Sequence, residues 1–268
     1  MNKELLESAE RAYREGKPFL TDADFDRLSG KDSGESVFFS GDLIAHKRPL
    51  LSLRHTYDLA DVIKWSRWLK YQLGHTPELI LEPKIDGLAL SIIYDESGHF
   101  RSAATKHRGA GEGFDVTEKI RKADCVPERG PAGQQITGEF VLTKGYLLDD
   151  TYKTERSLAC AYLQSKSDDL ADMGFRFYPH GLGGSGGYLQ RKEELCELYG
   201  FNELDYRTAD ASDLESVFHR FVKMREFWSF EADGIVFRVN DLGDFYKLGD
   251  NSRYPLGAIA YKWKGIDM

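Results

Sequence analysis

The sequence predicts an α+β protein in two parts, a small helical module over residues 1–45 and a larger mixed domain over residues 46–268. Three observations lead to this prediction. Apolar side chains recur at helical spacing before residue 28. A segment rich in Gly, Ser and Asp follows at 30–46 and is typical of a linker, and apolar β-rich runs alternate with helical patterns beyond it. With 268 residues and 41% apolar content, the chain can bury a sizeable core.

The N-terminal module is predicted to consist of two helices. Residues 3–16 form an amphipathic pattern that ends at Gly16. A second helix begins at Thr21, a suitable N-cap, and runs to Leu28. From pattern alone, this is a helical hairpin that only packs on the larger domain.

Composition argues against several classes of protein. The three cysteines, Cys125, Cys160 and Cys196, lie far apart without a C-x-x-C pair, which argues against a disulfide framework or a zinc site. No apolar run approaches the length of a membrane span, and the N-terminus is too charged for a signal peptide. We therefore expect a cytoplasmic protein without a membrane partner.

The charge distribution bears on nucleic-acid binding. A formal net charge of -8 argues against a strongly basic nucleic-acid binder, because phosphate contacts depend on clustered Lys and Arg. Basic residues do gather locally, at 106–108, 121–122 and 220–225. Each cluster is compatible with a nucleic-acid contact and, more often, with a solvated face.

The stretch from Ile80 to Tyr94 is the most informative part of the chain. An apolar strand breaks at Pro83 and a β-rich run soon resumes, so Lys84 is predicted at a turn between two buried strands. Partial desolvation there would favour the neutral amine and make Lys84 a candidate nucleophile. Glu82 and Asp86, each two residues from Lys84, would share its side of an extended backbone. The alternative is a hairpin with a surface lysine.

The remaining elements follow in order. Helices are predicted at 59–73, within 143–164, at 191–199 and at 211–227. The segment Thr105–Thr117 has three glycines in five positions, which lets backbone amides approach a sugar or phosphate. The GGSGG run at 183–187 lacks the Lys and Thr of a phosphate loop, so we interpret it as a flexible surface turn.

Five segments, in order, resemble motifs of the NAD-dependent polynucleotide ligases. They are EPKIDG at 82–87, GEF at 138–140, FRFYPHGLG at 175–183, FEADGIVFRVN at 230–240, and the segment 248–262. The resemblance covers nearly the whole chain. It implies that residues 46–268 form a nucleotidyltransferase domain of the ATP-grasp-like ligase type, with antiparallel sheets flanked by helices.

The resemblance also implies a reaction. Lys84 would attack the α-phosphorus of NAD and release nicotinamide mononucleotide, the adenylate would pass to a 5′-phosphate end, and an adjacent 3′-hydroxyl would displace AMP. The implied catalytic residues are Lys84, Asp86, Glu139, Asp233, Arg238 and Lys262. The implied cofactor-binding residues are Glu82, Gly87, Arg108, Arg156, His180, Arg225, Ser52, Leu53, Tyr13, Asp22 and Asp26.

Particular roles are implied for some of these residues. Lys262 and Arg238 would bind the α-phosphate, while the carboxylates of Glu139 and Asp233 would bind the ribose or a hydrated Mg²⁺. His180 would stack on the adenine. The residues alone also allow ordinary roles, such as a turn at Asp233 or an edge position for Lys262.

Further roles and several departures complete the resemblance. Asp86 would orient the attack and Glu82 would lie near the adenine, while Tyr13, Asp22 and Asp26 resemble the module that grips the nicotinamide mononucleotide half of NAD. The family usually has Lys at Arg238, Tyr at His180, His at Arg14, Tyr at Phe25, and an acid at Ala110.

Nicked nucleic acid with 5′-phosphate and 3′-hydroxyl ends is the implied partner, and DNA is the default. Family members continue past the fifth motif into an oligonucleotide-binding barrel, a zinc module and helix-hairpin-helix repeats that encircle the duplex, whereas six residues follow Lys262 here. The next alternatives are an adenylation subunit that needs a separate clamp-bearing subunit, and then a minimal NAD-dependent RNA ligase. A non-sealing adenylyltransferase and a binding module without chemistry also stay open.

Overall fold

The computed structural model describes residues 41–107, 110–146, 152, 154–181 and 183–263. The strands are β1 (Leu43–Ala45), β2 (His55–Thr56), β3 (Leu79–Ile85), β4 (Leu88–Tyr94), β5 (Phe100–Thr105), β6 (Glu112–Phe114), β7 (Gln135–Leu142), β8 (Phe175–Gly181), β9 (Arg207–Ala209), β10 (Ala232–Val239) and β11 (Ala258–Lys262). The helices are α1 (Leu59–Leu73), α2 (Thr117–Lys122), α3 (Glu155–Gln164), α4 (Tyr188–Tyr199), α5 (Leu214–Val222) and α6 (Leu242–Leu248), and a 3₁₀-helix, Lys223–Phe227, follows α5.

The described strands form two larger sheets and one small one. The five-stranded sheet has the order β2-β11-β10-β3-β9, the four-stranded sheet has the order β5-β4-β7-β8, and β1 pairs with β6. Neighbouring strands are antiparallel except β2 and β11, which are parallel. This arrangement confirms the predicted α+β fold with antiparallel sheets.

Each larger sheet has its own hydrophobic core. Leu69 of α1 and Phe221 of α5 pack with Phe237 on the five-stranded sheet. On the four-stranded sheet, Tyr162 of α3 stacks on Phe140 with ring centroids 6.3 Å apart. All five side chains are fully buried, and burial of a side chain of this kind contributes about 1.5–3 kcal/mol. The two cores meet between the sheets, because Val141 and Tyr178 of the four-stranded sheet belong to the core of the five-stranded one.

The chain crosses from one large sheet to the other at Asp86 and Gly87. β3 pairs with β10 and β9, whereas β4 pairs with β5 and β7, so the predicted hairpin alternative is wrong. β3 also continues through Pro83 instead of breaking there. Because β9 pairs with β3 only over Leu79–Leu81, one edge of β3 is open at the proline, which has no N–H to donate. Lys84 therefore lies where the two sheets meet.

The sequence located most described elements closely. α1 and β4 have the predicted bounds, and α4 begins at Tyr188, three residues earlier than predicted. The helix predicted at 211–227 is instead α5 followed by the 3₁₀-helix. Within the predicted linker, β1 pairs with β6 of the larger domain, while the boundary at residue 45 stays a prediction. The helices predicted at 3–16 and 21–28 lie outside the described residues.

The described part of the chain contains all three cysteines and can be searched for membrane-spanning helices. Cys125, Cys160 and Cys196 are free thiols. No helix in this part combines the length and the apolar content that crossing a membrane requires.

Candidate active site

Lys84 and Asp233 meet across two paired strands. Lys84, near the end of β3, is in register with Gly234 of β10. Its Nζ donates hydrogen bonds to both carboxylate oxygens of Asp233, at 2.8 and 2.9 Å. The pairing shifts register between Ala232 and Gly234, and irregularities of this kind re-aim side chains. The local strand geometry thus brings the aspartate to the lysine.

Gly234 also brings a second lysine to the same aspartate. A Cβ at Gly234 would lie 1.9 Å from the carbonyl oxygen of Tyr261, so β11 approaches β10 more closely than a side chain would allow. Lys262 of β11 is in register with Gly234, and its Nζ lies 3.7 Å from Asp233. Asp233 therefore lies between two lysine ammonium groups.

The protonation state of Lys84 differs from the prediction. Burial lowers the pKa of Lys84, but the carboxylates of Asp233, Asp86 and Glu139 outweigh burial and hold the pKa above its usual value. The expectation that desolvation would favour the neutral amine is therefore wrong for the protein without substrate. At neutral pH Lys84 is an ammonium ion that must lose its proton before it can act as a nucleophile.

Glu139 is a carboxylate that has unused hydrogen-bonding capacity. It lies on β7, between β4 and β8, and its Oε2 is buried without a hydrogen-bond partner among the described residues. Burial raises the pKa of Glu139 to about 7, although Lys84, Arg156 and Lys106 act in the opposite direction. A buried acceptor left unsatisfied costs free energy, so this atom is suited to a donor that a ligand supplies.

Asp86 is fixed from two sides. Arg156, in the first turn of α3, donates from Nη1 to Asp86 Oδ1 at 2.8 Å. A capping box between Thr154 and Ser157 begins that helix and fixes the position of its first turn. The backbone N–H of Asp86 donates to the carbonyl of Glu231 at 2.8 Å. The predicted contact residue Arg156 is thus joined to the Lys84 region through Asp86.

Gly87 is needed for the close approach of β4 and β7. A Cβ at Gly87 would lie 2.7 Å from the carbonyl oxygen of Phe140 and 2.6 Å from Cγ1 of Val141. Glycine therefore lets β4 enter the sheet directly beside β7, the strand that carries Glu139.

A second polar cluster, which we call the Glu82 cluster, consists of Glu82, Tyr188 and Lys192. Glu82 and Lys84 are two residues apart on β3, so their side chains lie on the same face of the strand. Tyr188 donates its hydroxyl to Glu82 Oε2 at 2.8 Å, and Lys192 forms an ion pair with Oε1. Burial opposes ionisation, but Lys192 and Arg238 outweigh it and hold the pKa of Glu82 below its usual range.

Arg238 belongs with the Glu82 cluster in space. It is 8% exposed, and its guanidinium lies 4.9 Å from the ring centroid of Tyr188 and 5.1 Å from that of Phe245. Its Nε has no hydrogen-bond partner within the part of the chain that is described. Along the β3–β10 pairing, Arg238 lies four residue pairs from Lys84, which is about 13 Å of strand.

His180 lies near the end of β8, and the charges of Glu82, Lys192 and Arg238 act on its pKa. Burial, reinforced by the charge of Arg238, lowers the pKa of His180 to about 3, so the imidazole is neutral at neutral pH. A neutral flat ring and a guanidinium stacked on aromatic rings therefore border this end of the site.

Ser52 is linked to the site through Lys106. Lys106, directly after β5, donates to Ser52 Oγ and is one of the cations that act on Glu139. Leu53 beside Ser52 is half-buried. Lys106 therefore contacts Ser52 and also acts to lower the pKa of Glu139.

Arg225 is linked to Asp233 through Trp263. Its guanidinium lies 5.3 Å from the ring centroid of Trp263, whose backbone N–H donates to the carbonyl of Asp233 at 3.0 Å. Four predicted residues, Arg108, Tyr13, Asp22 and Asp26, lie outside the described residues.

Three residues of this site are not among the predicted ones. The sequence pattern places Lys106 only in a basic cluster, although it directly follows a strand and precedes the glycine-rich loop. Tyr188 and Lys192 lie on the buried face of α4 with Leu195, at helical spacing. The signal that could have found them is a lysine in the middle of an otherwise apolar stripe.

Among the basic clusters considered for nucleic-acid binding, the two residues at 121–122 form ion pairs with acidic side chains. Arg121 Nη1 lies 2.9 Å from Glu128 Oε1, and Lys122 forms an ion pair with Asp168. The structure favours the solvated-face interpretation for this cluster.

Comparisons with known proteins identify the family. Residues 40–265 match the family model described as the NAD-dependent DNA ligase adenylation domain. The chain is 28% identical over 284 residues to a DNA ligase of Wolbachia pipientis wMel, covering 95% of this chain and 42% of that protein. It is 28% identical over 305 residues to a DNA ligase of Alkalilimnicola ehrlichii, covering 98% of this chain and 45% of that protein. The chain thus spans less than half the length of these relatives.

A looser likeness joins the chain to solved structures, such as an archaeal ATP-dependent RNA ligase with a TM-score of 0.43 and 14% identity, covering 81% of this chain and 48% of that one. The family-model match spans 226 of the 268 residues, counted from residue 40 to residue 265, and includes Lys84, Glu139, Asp233 and Lys262. This chain belongs to the family of NAD-dependent DNA ligase adenylation domains.

Proposed function

We propose that this chain reacts with NAD to form a covalent adenylate on Lys84, and that its whole protein passes the AMP to the 5′-phosphate of nicked DNA and seals the nick. The observation that carries the proposal is the contact of Lys84 with Asp233 at the junction of the two sheets, with Lys262 on the other side of that aspartate. A lysine so held is fixed for attack, and the neighbouring cations suit a negatively charged substrate.

In the first step, the bond from Lys84 Nζ to the α-phosphorus forms while the bond from that phosphorus to the oxygen of nicotinamide mononucleotide breaks. The leaving group keeps the bonding electrons. The ammonium of Lys84 must first give up a proton, since it has no lone pair. Asp233, which accepts both hydrogen bonds from Nζ, is the group in contact with that proton.

We propose Glu139 as the contact for a hydrated Mg²⁺. The unpartnered Oε2 of Glu139 fits an ion that brings its own waters, and Mg²⁺ usually keeps several waters while binding one or two carboxylates. Asp233, the other predicted ligand, already accepts hydrogen bonds from Lys84 at both oxygens. When bound, the ion would neutralise charge on the phosphate that is transferred.

The two halves of NAD are assigned to two ends of the site. The adenine lies at the Glu82 cluster, against His180 and Arg238, because flat groups border that end of the β3 face. The nicotinamide mononucleotide half is assigned to the module over residues 1–45, through Tyr13, Asp22 and Asp26. The α-phosphate then lies near Lys84 and Lys262.

Nicked DNA with 5′-phosphate and 3′-hydroxyl ends is the proposed partner, because the relatives of this family that match the chain are named DNA ligases. A binding module without chemistry is disfavoured by the presence of both Lys84 and Lys262 in one site.

The test is covalent labelling by NAD that is radioactive in its adenylate half. We expect an adduct that resists alkali and is lost in acid, as a lysine phosphoramidate is, and we expect little labelling by ATP labelled in the same position. Labelling by ATP in preference to NAD would contradict the proposal, and so would failure of NAD to leave any covalent label.

A change at Asp233 should move the pH dependence of adenylation. Asp233 raises the pKa of Lys84, so the Asp233→Asn variant should lower that pKa and increase the fraction of neutral amine at any given pH. We expect the rise of the single-turnover rate with pH to shift to lower pH, whatever the maximal rate becomes. Asp61→Asn, which breaks an exposed ion pair with Lys64, is the matched control and should leave the profile in place. A profile of Asp233→Asn that stays still or moves to higher pH would count against this account.

A further inference from the structure

Helix α4 carries a lysine into the protein interior. Its buried face consists of Tyr188, Lys192 and Leu195, and Lys192 is only 3% exposed. Burying an ammonium group is costly unless an opposite charge meets it. The opposite charge is Glu82, also 3% exposed, which forms an ion pair with Lys192. Both charges of this pair are therefore withdrawn from water together.

Glu82, which Lys192 binds, lies on the face of β3 that also carries Lys84. Glu82 is two residues from Lys84 on that strand, and the neutral ring of His180 lies near it. Arg238, stacked on aromatic rings, borders it from β10. The Arg238 guanidinium can only donate hydrogen bonds, and the neutral His180 ring has one donor and one acceptor nitrogen, whereas an ionised Glu82 is purely an acceptor. Under the proposed function, on which this inference rests, that acceptor faces the end of the site assigned to the base.

We infer that Lys192 is a positioning residue that determines base specificity: it fixes the Glu82 carboxylate in its charged, acceptor-only form, so that the site selects an amino group over a carbonyl oxygen at position 6 of the purine. Lys192 binds Oε1 and Tyr188 binds Oε2, which sets the orientation of the carboxylate. Each carboxylate oxygen can accept a second hydrogen bond, so the amino group of adenine still finds an acceptor.

Removal of the lysine should change what Glu82 can do. Without Lys192, the carboxylate stays buried, and its remaining neighbours are the Tyr188 hydroxyl and the longer-range charge of Arg238. Lys192 is the stronger of the two cations in holding Glu82 ionised, and it is the one in ion-pair contact. A Glu82 that takes up a proton becomes a donor as well as an acceptor, and it then accommodates a carbonyl oxygen as readily as an amino group.

The experiment compares self-adenylation of the full chain by NAD and by nicotinamide hypoxanthine dinucleotide, which has a carbonyl oxygen in place of the 6-amino group. The readout is the ratio of the two kcat/KM values for adduct formation, because the active fraction of each preparation cancels in that ratio. For the parent chain we expect a preference for NAD of at least about tenfold. For Lys192→Met we expect the ratio to fall to within about threefold of unity, mainly through a higher KM for NAD.

Two further variants make the result specific. Lys192→Gln keeps an amide donor but removes the charge, so it should lose the preference as Lys192→Met does, and it decides the matter if the Met variant does not fold. Lys119→Met is the matched control, because Lys119 is also a largely buried lysine that pairs with an aspartate, Asp168, and lies over a tyrosine ring. It should keep the parental ratio.

The outcomes separate this inference from the proposed function. A folded Lys192→Met or Lys192→Gln variant that keeps the parental preference would overturn the role of Lys192. A parent chain that forms the adduct equally well from both dinucleotides would also overturn it, while the proposed reaction at Lys84 would stand. A parent chain that forms an adduct from neither would overturn the proposed function itself.

Discussion

Replacing Lys84 by alanine is expected to abolish the covalent adduct with AMP, lowering self-adenylation by NAD by at least about four orders of magnitude. Lys84 supplies the attacking nitrogen, and no other group in contact with it in the described site can take its position. Lys262, the other lysine beside Asp233, is held 3.7 Å from that aspartate on a different strand. The measurement is retention of adenylate label after denaturation, with NAD binding followed separately by equilibrium dialysis.

The control for this prediction is Lys144→Ala. Lys144 is a partly exposed lysine that pairs with Glu231 at 3.3 Å, so its removal tests the loss of a lysine near the end of β7 without touching Lys84. It should label like the parent. If Lys84→Ala binds NAD and labels as well as the parent, the assignment of the nucleophile fails.

The second large effect is expected from Gly234→Ala, on stability. The added Cβ would lie 1.9 Å from the carbonyl oxygen of Tyr261, a backbone atom that cannot move aside alone. Relief requires β10 and β11 to separate, which disturbs the register that holds both Lys84 and Lys262. We expect a loss of about 2–4 kcal/mol in the free energy of unfolding, and a fall of the melting temperature by about 5–15 °C.

Gly187→Ala is the matched glycine control. A Cβ at Gly187 would meet nothing closer than 3.7 Å, an ordinary van der Waals distance. We expect a change of less than about 1 kcal/mol, because only the preference of the α4 N-cap for glycine over alanine is lost. Equal melting temperatures for the two variants would show that the close approach of β10 and β11 is not constrained as described.

Short-range patterns made much of the described fold predictable. The bounds of α1 follow from its helical periodicity, the cap at Asp58 and the left-handed Gly74 at its end. β4 is apolar except for Ser91, which is typical of a strand buried on both faces. The pairing of strands was harder to predict from the sequence, because local pattern did not show that β3 and β4 belong to different sheets. The tight packing at Gly87, which lets β4 enter beside β7, appears only once both strands are in position.

In the candidate site, the identities of the motif residues were predictable from the sequence, but the protonation state of Lys84 was not. The motif residues could be named from an ordered resemblance, and the structure brings Lys84, Asp86, Asp233 and Lys262 together. The protonation state of Lys84 could not be named, because it depends on three carboxylates from separate segments that outweigh burial.

Lys192 shows a related limit. In the sequence its immediate neighbours are charged, and only its helical spacing from Tyr188 and Leu195 indicates the buried face of α4. Its burial and its pairing with Glu82 depend on how α4 packs against β3, more than a hundred residues away along the chain. Tertiary packing, rather than local pattern, gives this residue its role.

Mapping the adduct tests directly whether Lys84 is the residue that carries AMP. The full chain is reacted with NAD, digested at neutral or alkaline pH to preserve a phosphoramidate, and the peptide that carries AMP is identified by mass spectrometry. We expect AMP on the side chain of Lys84, within the peptide that contains Glu82 and Asp86. AMP on Lys262, on Lys106 or on any other residue, with Lys84 unmodified, would contradict it.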